Sequence, residues 1–275
     1  MRQSDALFGL IGTPGGKAGG RQTTKATGLQ IGRLAWLGFF LTKTLVEGVA
    51  RHLLLGRRFD HAARARWLQT VCRKVARIIQ LDIRVEGEQP QGGLVACNHL
   101  GYLDIIALGA VTPLVFLSKR EVQGWLLIGA ITRLAGTLYI NREDKKEVVR
   151  AARAFESVVG SGTTVVIFPE GTSSDGTGVL PFRSALLEPA VRGQWPVTPA
   201  RLEYSLTEGS VAEEVCYWRD MTFFPHLLNL MRKDEIRVTV RFGTRHAPGK
   251  CRKALALSLR EQICVLGRGK QAGQV

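Results

Sequence analysis

The sequence predicts an α/β protein with a mostly parallel or mixed central sheet flanked by helices, preceded by an N-terminal two-helix membrane-anchoring motif. Three observations carry that expectation. From Leu81 onward, short β-branched or apolar runs alternate with helical patterns, the rhythm of strand–helix units. Before Leu81 the rhythm is helical only, in two stretches that mix apolar and basic residues. The composition fits both halves: 45% of the 275 residues are hydrophobic, enough for one sizeable core, and 31 glycines supply turns between many short elements.

The front end is the more charged part. Residues 1–84 hold 15 Lys and Arg against 4 Asp and Glu, whereas residues 85–275 hold 23 against 19, so +11 of the formal +15 lies ahead of the α/β part. A basic, amphipathic leader points to a polyanionic partner, anionic lipid or nucleic acid. Residues 1–28, rich in Gly, Thr and Lys, read as a disordered basic tail without the apolar core of a secretory signal. Residues 29–80 read as the two-helix anchor. Leu29 to Leu55 is apolar but interrupted by Lys43, Glu47 and Arg51, and a spanning helix needs about 20 mostly apolar residues. With Ile31, Leu34, Leu41, Leu45, Val49 and Leu53 near helical spacing, an interfacial or re-entrant helix is the better expectation. A second helix, Asp60 to Ile79, sets Leu68, Val71, Cys72, Val75, Ile78 and Ile79 on one face and Arg66, Arg73, Lys74 and Arg77 opposite. Alone it reads equally as a packed helix with a solvated basic face; beside a greasy neighbour it suggests a membrane-surface anchor.

Residues 81–275 form the expected α/β domain. Its predicted strands are Asp82–Glu86, Leu94–Cys97, Leu114–Ser118, Gly136–Ile140, Thr163–Phe168, Val197–Tyr204 and Glu235–Phe242. Its predicted helices are Tyr102–Ala110, Gln123–Leu134, Lys145–Val159, Ser184–Val191, Thr222–Met231 and Lys250–Val265. Glu203 to Trp218 reads as a loop or insertion with no evident role. The five cysteines are widely spaced, without a C-x-x-C, and indicate neither a disulfide framework nor a zinc site but a reducing compartment.

Chemistry concentrates at strand ends. Leu94–Cys97 breaks at Asn98-His99, where a strand hands over to a helix, the edge at which α/β sheets bind ligands. Asp104 follows five residues later, about 140° away on a continuous helix. The two meet only if His99 lies in the turn and Asp104 in the first helical turn, an arrangement that would orient the imidazole as a base. A first-turn Asp also has a plain explanation in the helix dipole. Arg142 closes the Gly136–Arg142 strand, and Lys119 and Arg120 follow the preceding one, so cations suited to a phosphate or carboxylate gather near His99. In Phe168-Pro-Glu-Gly-Thr172, Pro169 stiffens the exit of a β-branched strand and Gly171 allows a positive φ, fixing Glu170 to bond a substrate hydroxyl or Arg142. The chain has no P-loop, because Thr177 stands where Lys is required after Gly176, and no G-x-S-x-G.

Together these stretches resemble the glycerolipid acyltransferase family, whose best-known members acylate lysophosphatidic acid. The family's His-x4-Asp block matches His99 to Asp104, its Gly-to-Arg strand matches Gly136 to Arg142, its Phe-Pro-Glu-Gly-Thr block matches Phe168 to Thr172, and an apolar-Pro block matches Val197 to Ala200. The resemblance implies catalytic His99 and Asp104, with Lys119, Arg142, Glu170, Gly171, Thr172 and Arg183 binding substrate. It implies acyl-CoA or acyl-carrier protein as donor, no metal and no cofactor. The polyanionic partner then becomes an anionic membrane surface rather than nucleic acid, at the cytoplasmic face of the inner membrane. One position departs: Ser173 stands where phosphate-acceptor members carry Arg, and the stretch that follows is similar to the branch acylating lyso-ornithine lipid. The expected acceptor is 1-acylglycerol-3-phosphate, with lyso-ornithine lipid as the alternative. A thioesterase and a non-catalytic lipid-binding module are the remaining readings.

Overall fold

Two helices lead into the sheet, and their similar patterns have different fates. The protein is described by a computed structural model covering residues 20–140 and 145–268. Helix α1 (Gly20–Leu55) begins ahead of the expected Leu29, and the rest of the expected tail, residues 1–19, lies outside the described residues. Its inner face packs Leu34, Leu37, Phe40, Leu41 and Leu45 on the core, while Ile31, Trp36, Phe39, Val46, Val49 and Leu53 stay exposed. The single apolar stripe expected from the sequence is thus divided, with Leu34, Leu41 and Leu45 turned inward.

Gly56, at φ +50, opens the tight turn Gly56–Arg58, and the Asp60 side chain caps α2 (His61–Ile78) by accepting from Ala63 N at 2.8 Å. Helix α2 buries Trp67, Leu68, Val71, Cys72 and Val75, and exposes Arg66, Arg73, Lys74 and Arg77. The faces are those expected, but the apolar one is covered by the protein's own core.

The strands are β1 (Leu81–Glu86), β2 (Leu94–Cys97), β3 (Leu114–Lys119), β4 (Leu138–Ile140), β5 (Thr164–Ile167), β6 (Val197–Leu206) and β7 (Ile236–Phe242). They form a seven-stranded sheet in the order β1-β7-β6-β2-β5-β3-β4, parallel throughout except for the antiparallel β6–β7 pair. The remaining helices are α3 (Leu103–Val111), α4 (Leu126–Leu134), α5 (Lys145–Gly160), α6 (Glu188–Gly193), α7 (Val211–Glu214), α8 (Phe223–Leu230) and α9 (Arg252–Arg268). Two predicted helices start as 3-10 turns, Arg120–Gly124 ahead of α4 and Ser184–Leu187 ahead of α6.

Strand β2 shows why the sheet lies in the middle. All four of its residues are buried, and they alternate: Val95 and Cys97 join the core beneath α2 and α3, whereas Leu94 and Ala96 join the core with Phe155 of α5 and Leu259 of α9. A strand covered on both faces reads as an unbroken apolar run. The parallel order brings the C-terminal ends of β2, β5, β3 and β4 to one edge of the sheet.

Candidate active site

At that edge β2 gives way to Asn98, whose side chain continues the strand's pairing. Its Oδ1 accepts from Leu202 N at 2.7 Å and its Nδ2 donates to Leu202 O at 3.0 Å, so the amide stands in for one more backbone rung on β6. His99 then leaves the sheet, and α3 starts four residues later, with Asp104 in its first turn. Asp104 Oδ2 accepts from His99 Nδ1 at 2.7 Å, from Leu100 N at 2.6 Å and from Gly101 N at 3.0 Å, while its Oδ1 accepts from Tyr204 Oη at 2.9 Å. The carboxylate is fully buried; the His99 side chain is 23% exposed. A carboxylate can only accept, so Nδ1 carries a proton, and in the neutral ring the basic lone pair is then on Nε2.

The exit of β5 grips His99 itself. The Phe168 ring stacks on the imidazole at 4.2 Å and 18°, fixing its plane. Pro169 and Gly171, the latter at φ +75 as expected, turn the chain back. Glu170 becomes a brace: Oε1 accepts from His99 N at 2.8 Å and Oε2 from Leu180 N at 2.9 Å, in a residue only 2% exposed. Burial raises its carboxyl above the ordinary value, against the pull of these two amides. Ser174 N closes the clasp on His99 O at 3.0 Å. The sequence expectation had Glu170 facing a hydroxyl or Arg142; its two oxygens instead hold backbone.

The other expected residues spread around this centre. Lys119, at the end of β3, is exposed on the same sheet edge, and Thr172 and Arg183 are exposed in the chain after β5. Arg142 lies outside the described residues. Among the described residues, no group of three or more His, Cys, Asp or Glu is arranged to hold a metal ion.

Comparison with known proteins agrees with the geometry. The Acyltransferase family profile matches residues 82–203, a stretch that contains His99, Asp104 and Glu170. A lyso-ornithine lipid O-acyltransferase of Rhodobacter capsulatus is 35% identical over 211 residues, covering 73% of this chain and 76% of the relative. The chain belongs to the glycerolipid acyltransferase family. A 1-acyl-sn-glycerol-3-phosphate acyltransferase of Neisseria meningitidis is 33% identical over 197 residues, covering 66% of this chain and 74% of its own. The crystal structure of the 1-acyl-sn-glycerophosphate acyltransferase PlsC from Thermotoga maritima shares the fold, with a TM-score of 0.63 at 18% identity over 90% of this chain and 98% of that one.

In this acyltransferase a third group of contacts comes from Glu203 to Trp218, which is not all loop: β6 runs on to Leu206 and α7 spans Val211–Glu214. Tyr204 belongs to the longer β6 and donates to Asp104; burial and the Asp104 charge hold its phenol well above the ordinary value, so it stays a donor. Tyr217 N donates to Leu100 O at 2.7 Å, and Ser173 Oγ donates to Tyr217 O at 2.5 Å, so the chain before α8 ties both site loops together. Gly101 makes room: a Cβ there would lie 2.9 Å from Tyr217 N and Cβ. Tyr102 meets His226 Nδ1 at 2.8 Å, and His226 Nε2 reaches Cys216 O at 3.1 Å. The available signal was Tyr204 itself, since a buried tyrosine hydroxyl usually has a partner.

Proposed function

We propose that this acyltransferase moves a fatty acyl group from acyl-CoA or acyl-carrier protein to the free hydroxyl of a lysolipid, with 1-acylglycerol-3-phosphate as acceptor and phosphatidic acid as product. The observation that carries the reading is the Asp104-bound, Phe168-stacked imidazole of His99, with Nε2 as its free base position. His99 Nε2 removes the hydroxyl proton as the oxygen attacks the thioester carbonyl, and Asp104 stabilises the imidazolium. The new C–O bond forms, the C–S bond breaks, and the proton passes to the departing thiolate, whose conjugate thiol has a pKa of about 8.5. The transfer is direct, with no acyl-enzyme and no metal in the scheme. Glu170 acts by positioning the His99 backbone, and Gly171 and Thr172 border the acceptor. Lys119, Arg142 and Arg183 supply cations for an anionic headgroup. The N–H groups of Leu100 and Gly101 already donate to Asp104, so oxyanion donors come from other amides of the site.

The exposed face of α1 supports work at a membrane surface. Ile31, Phe39, Val46, Val49 and Leu53 follow one another at helical spacing along its solvent side. No described helix is long and apolar enough to cross a bilayer. We place the enzyme on the cytoplasmic face of the inner membrane, where acyl thioesters are available.

One observation favours a second acceptor, lyso-ornithine lipid. Ser173 is engaged with the Tyr217 carbonyl, a bond that an arginine in its place would remove while adding a phosphate clamp. The test is an acceptor panel with labelled acyl-CoA, on the wild type and Ser173→Arg. Preference of the wild type for 1-acylglycerol-3-phosphate, little altered by Ser173→Arg, is the expected result. A wild-type preference for lyso-ornithine lipid, with a gain of roughly 10–150-fold on the phosphate acceptor in Ser173→Arg, would establish the second reading. Thiol release that ignores lysolipid altogether would make the protein a thioesterase.

A further inference from the structure

A second apolar surface lies outside α1. On α8, Phe224 is 70% exposed and Leu228, one turn on, is 45% exposed; Trp125, at the start of α4, is 39% exposed. They adjoin one another through rings: Trp125 stands 5.5 Å from Phe223, which stands 5.7 Å from Phe224. The patch also adjoins the catalytic turn, because Phe223 packs 5.1 Å from Tyr102, three residues after His99. At its other end it reaches α1. Arg232 Nε faces Gln30 Oε1 at 3.4 Å, and Arg33 Nη1 donates to the carbonyls of Met231 and Lys233. Gln30 is the neighbour of Ile31, the first exposed residue of the α1 stripe.

We infer that Trp125, Phe224 and Leu228 form a second membrane contact, a ridge that seats the mouth of the active site in the interfacial layer of an anionic bilayer. Three features select a lipid surface. The end of α8, the helix that carries Phe224 and Leu228, is tied to α1, through Arg33 on the carbonyls of Met231 and Lys233 and Arg232 on Gln30. The ridge combines Trp, Phe and Leu, side chains that settle at the boundary between headgroups and acyl chains. Cations border it, with exposed Arg219 and Arg232 on the α8 side, complementing anionic headgroups. Ridge and stripe together hold the enzyme at two points, so the turn carrying His99 meets a lysolipid that stays in its leaflet. The inference rests on the membrane reading given above and adds the orientation of the active site to it.

The test uses the full chain, with Phe224→Ser/Leu228→Ser and, separately, Trp36→Ser/Phe39→Ser. Sedimentation with phosphatidylglycerol–phosphatidylcholine vesicles reads affinity. Rates are taken on a long-chain lysolipid in vesicles and on a short-chain lysolipid dissolved as monomers. The α8 pair is expected to bind vesicles roughly tenfold more weakly and to lose rate on the vesicle acceptor in proportion. Its rate on the dissolved acceptor should stay within about twofold of wild type. Unchanged vesicle affinity overturns the inference, as does an equal loss on both acceptors, which would place the residues in the fold or the site. A change in oligomeric state without a change in vesicle binding would assign the ridge to a second copy of the chain and also overturn it. Loss of binding in the α8 pair alone supports the ridge and removes the α1 reading; loss in the α1 pair alone does the reverse. Should the α8 pair not fold, Trp125→Ala carries the same test from another element.

Discussion

The chain leaving β5 and the chain running from β6 to α8 hold the same turn, His99 to Asp104, from two sides and by different means. The first grips the histidine itself: Glu170 on its N–H, Ser174 on its carbonyl, Phe168 on its ring. The second grips what the histidine leans on. Tyr204 holds Asp104, Tyr217 holds Leu100, and His226 holds Tyr102. A general base must have its ring plane, its backbone and its carboxylate partner fixed at once. Here these constraints are divided between two segments, and only one of them has a recognisable sequence pattern.

Substitutions that loosen one side at a time sharpen the contrast. The largest effect is expected from Glu170→Gln. A carboxamide can accept from only one of the two amides now shared between His99 and Leu180, and its NH2 must face the other. A 10–100-fold fall in kcat with KM little changed is expected, together with roughly 1–3 kcal/mol of stability measured by denaturant unfolding. Tyr204→Phe removes one hydrogen bond to the buried Asp104 but leaves its contacts to His99, Leu100 and Gly101. A fall in kcat of about tenfold, smaller than that of Glu170→Gln, would confirm that Tyr204 acts through Asp104. An equal or larger fall would reverse the ranking of the two sides.

The smallest effect is on pH dependence. Burial lowers the His226 pKa from the ordinary 6.5. Below pH 6.5 the unfolded chain therefore binds a proton that the folded one resists, and stability falls as pH falls towards the lowered value. One proton sets an upper limit of about 1.4 kcal/mol per pH unit. Between about pH 7.5 and 5.5 the wild-type Tm should drop more than that of His226→Gln. Parallel curves would remove His226 from the account.

The legible parts of the molecule share a physical cause. Strand β2 was found to the residue, because a four-residue apolar run between Gly92-Gly93 and Asn98-His99 has a single reading as a doubly covered strand. The Phe168–Thr172 turn was legible through Pro169 and Gly171, which restrict the backbone locally. Tyr204 and Tyr217 were not, since their roles depend on contacts about a hundred residues away in sequence. The two N-terminal helices mark the limit of periodicity. Both are amphipathic, yet α2 buries its apolar face under α3 while α1 divides its apolar residues between core and solvent. Spacing reveals that a face is apolar and leaves open what covers it.

The central claim is that His99, with Nδ1 on Asp104, is the base for direct transfer to a lysolipid hydroxyl. Its most direct measurement is thiol release by purified wild type and His99→Ala, each with and without lysolipid, with circular dichroism to confirm the fold of both. The account predicts lysolipid-dependent release by the wild type and a loss of about 10²–10⁴-fold in folded His99→Ala. A folded His99→Ala enzyme transferring acyl groups at a rate near wild type would contradict it.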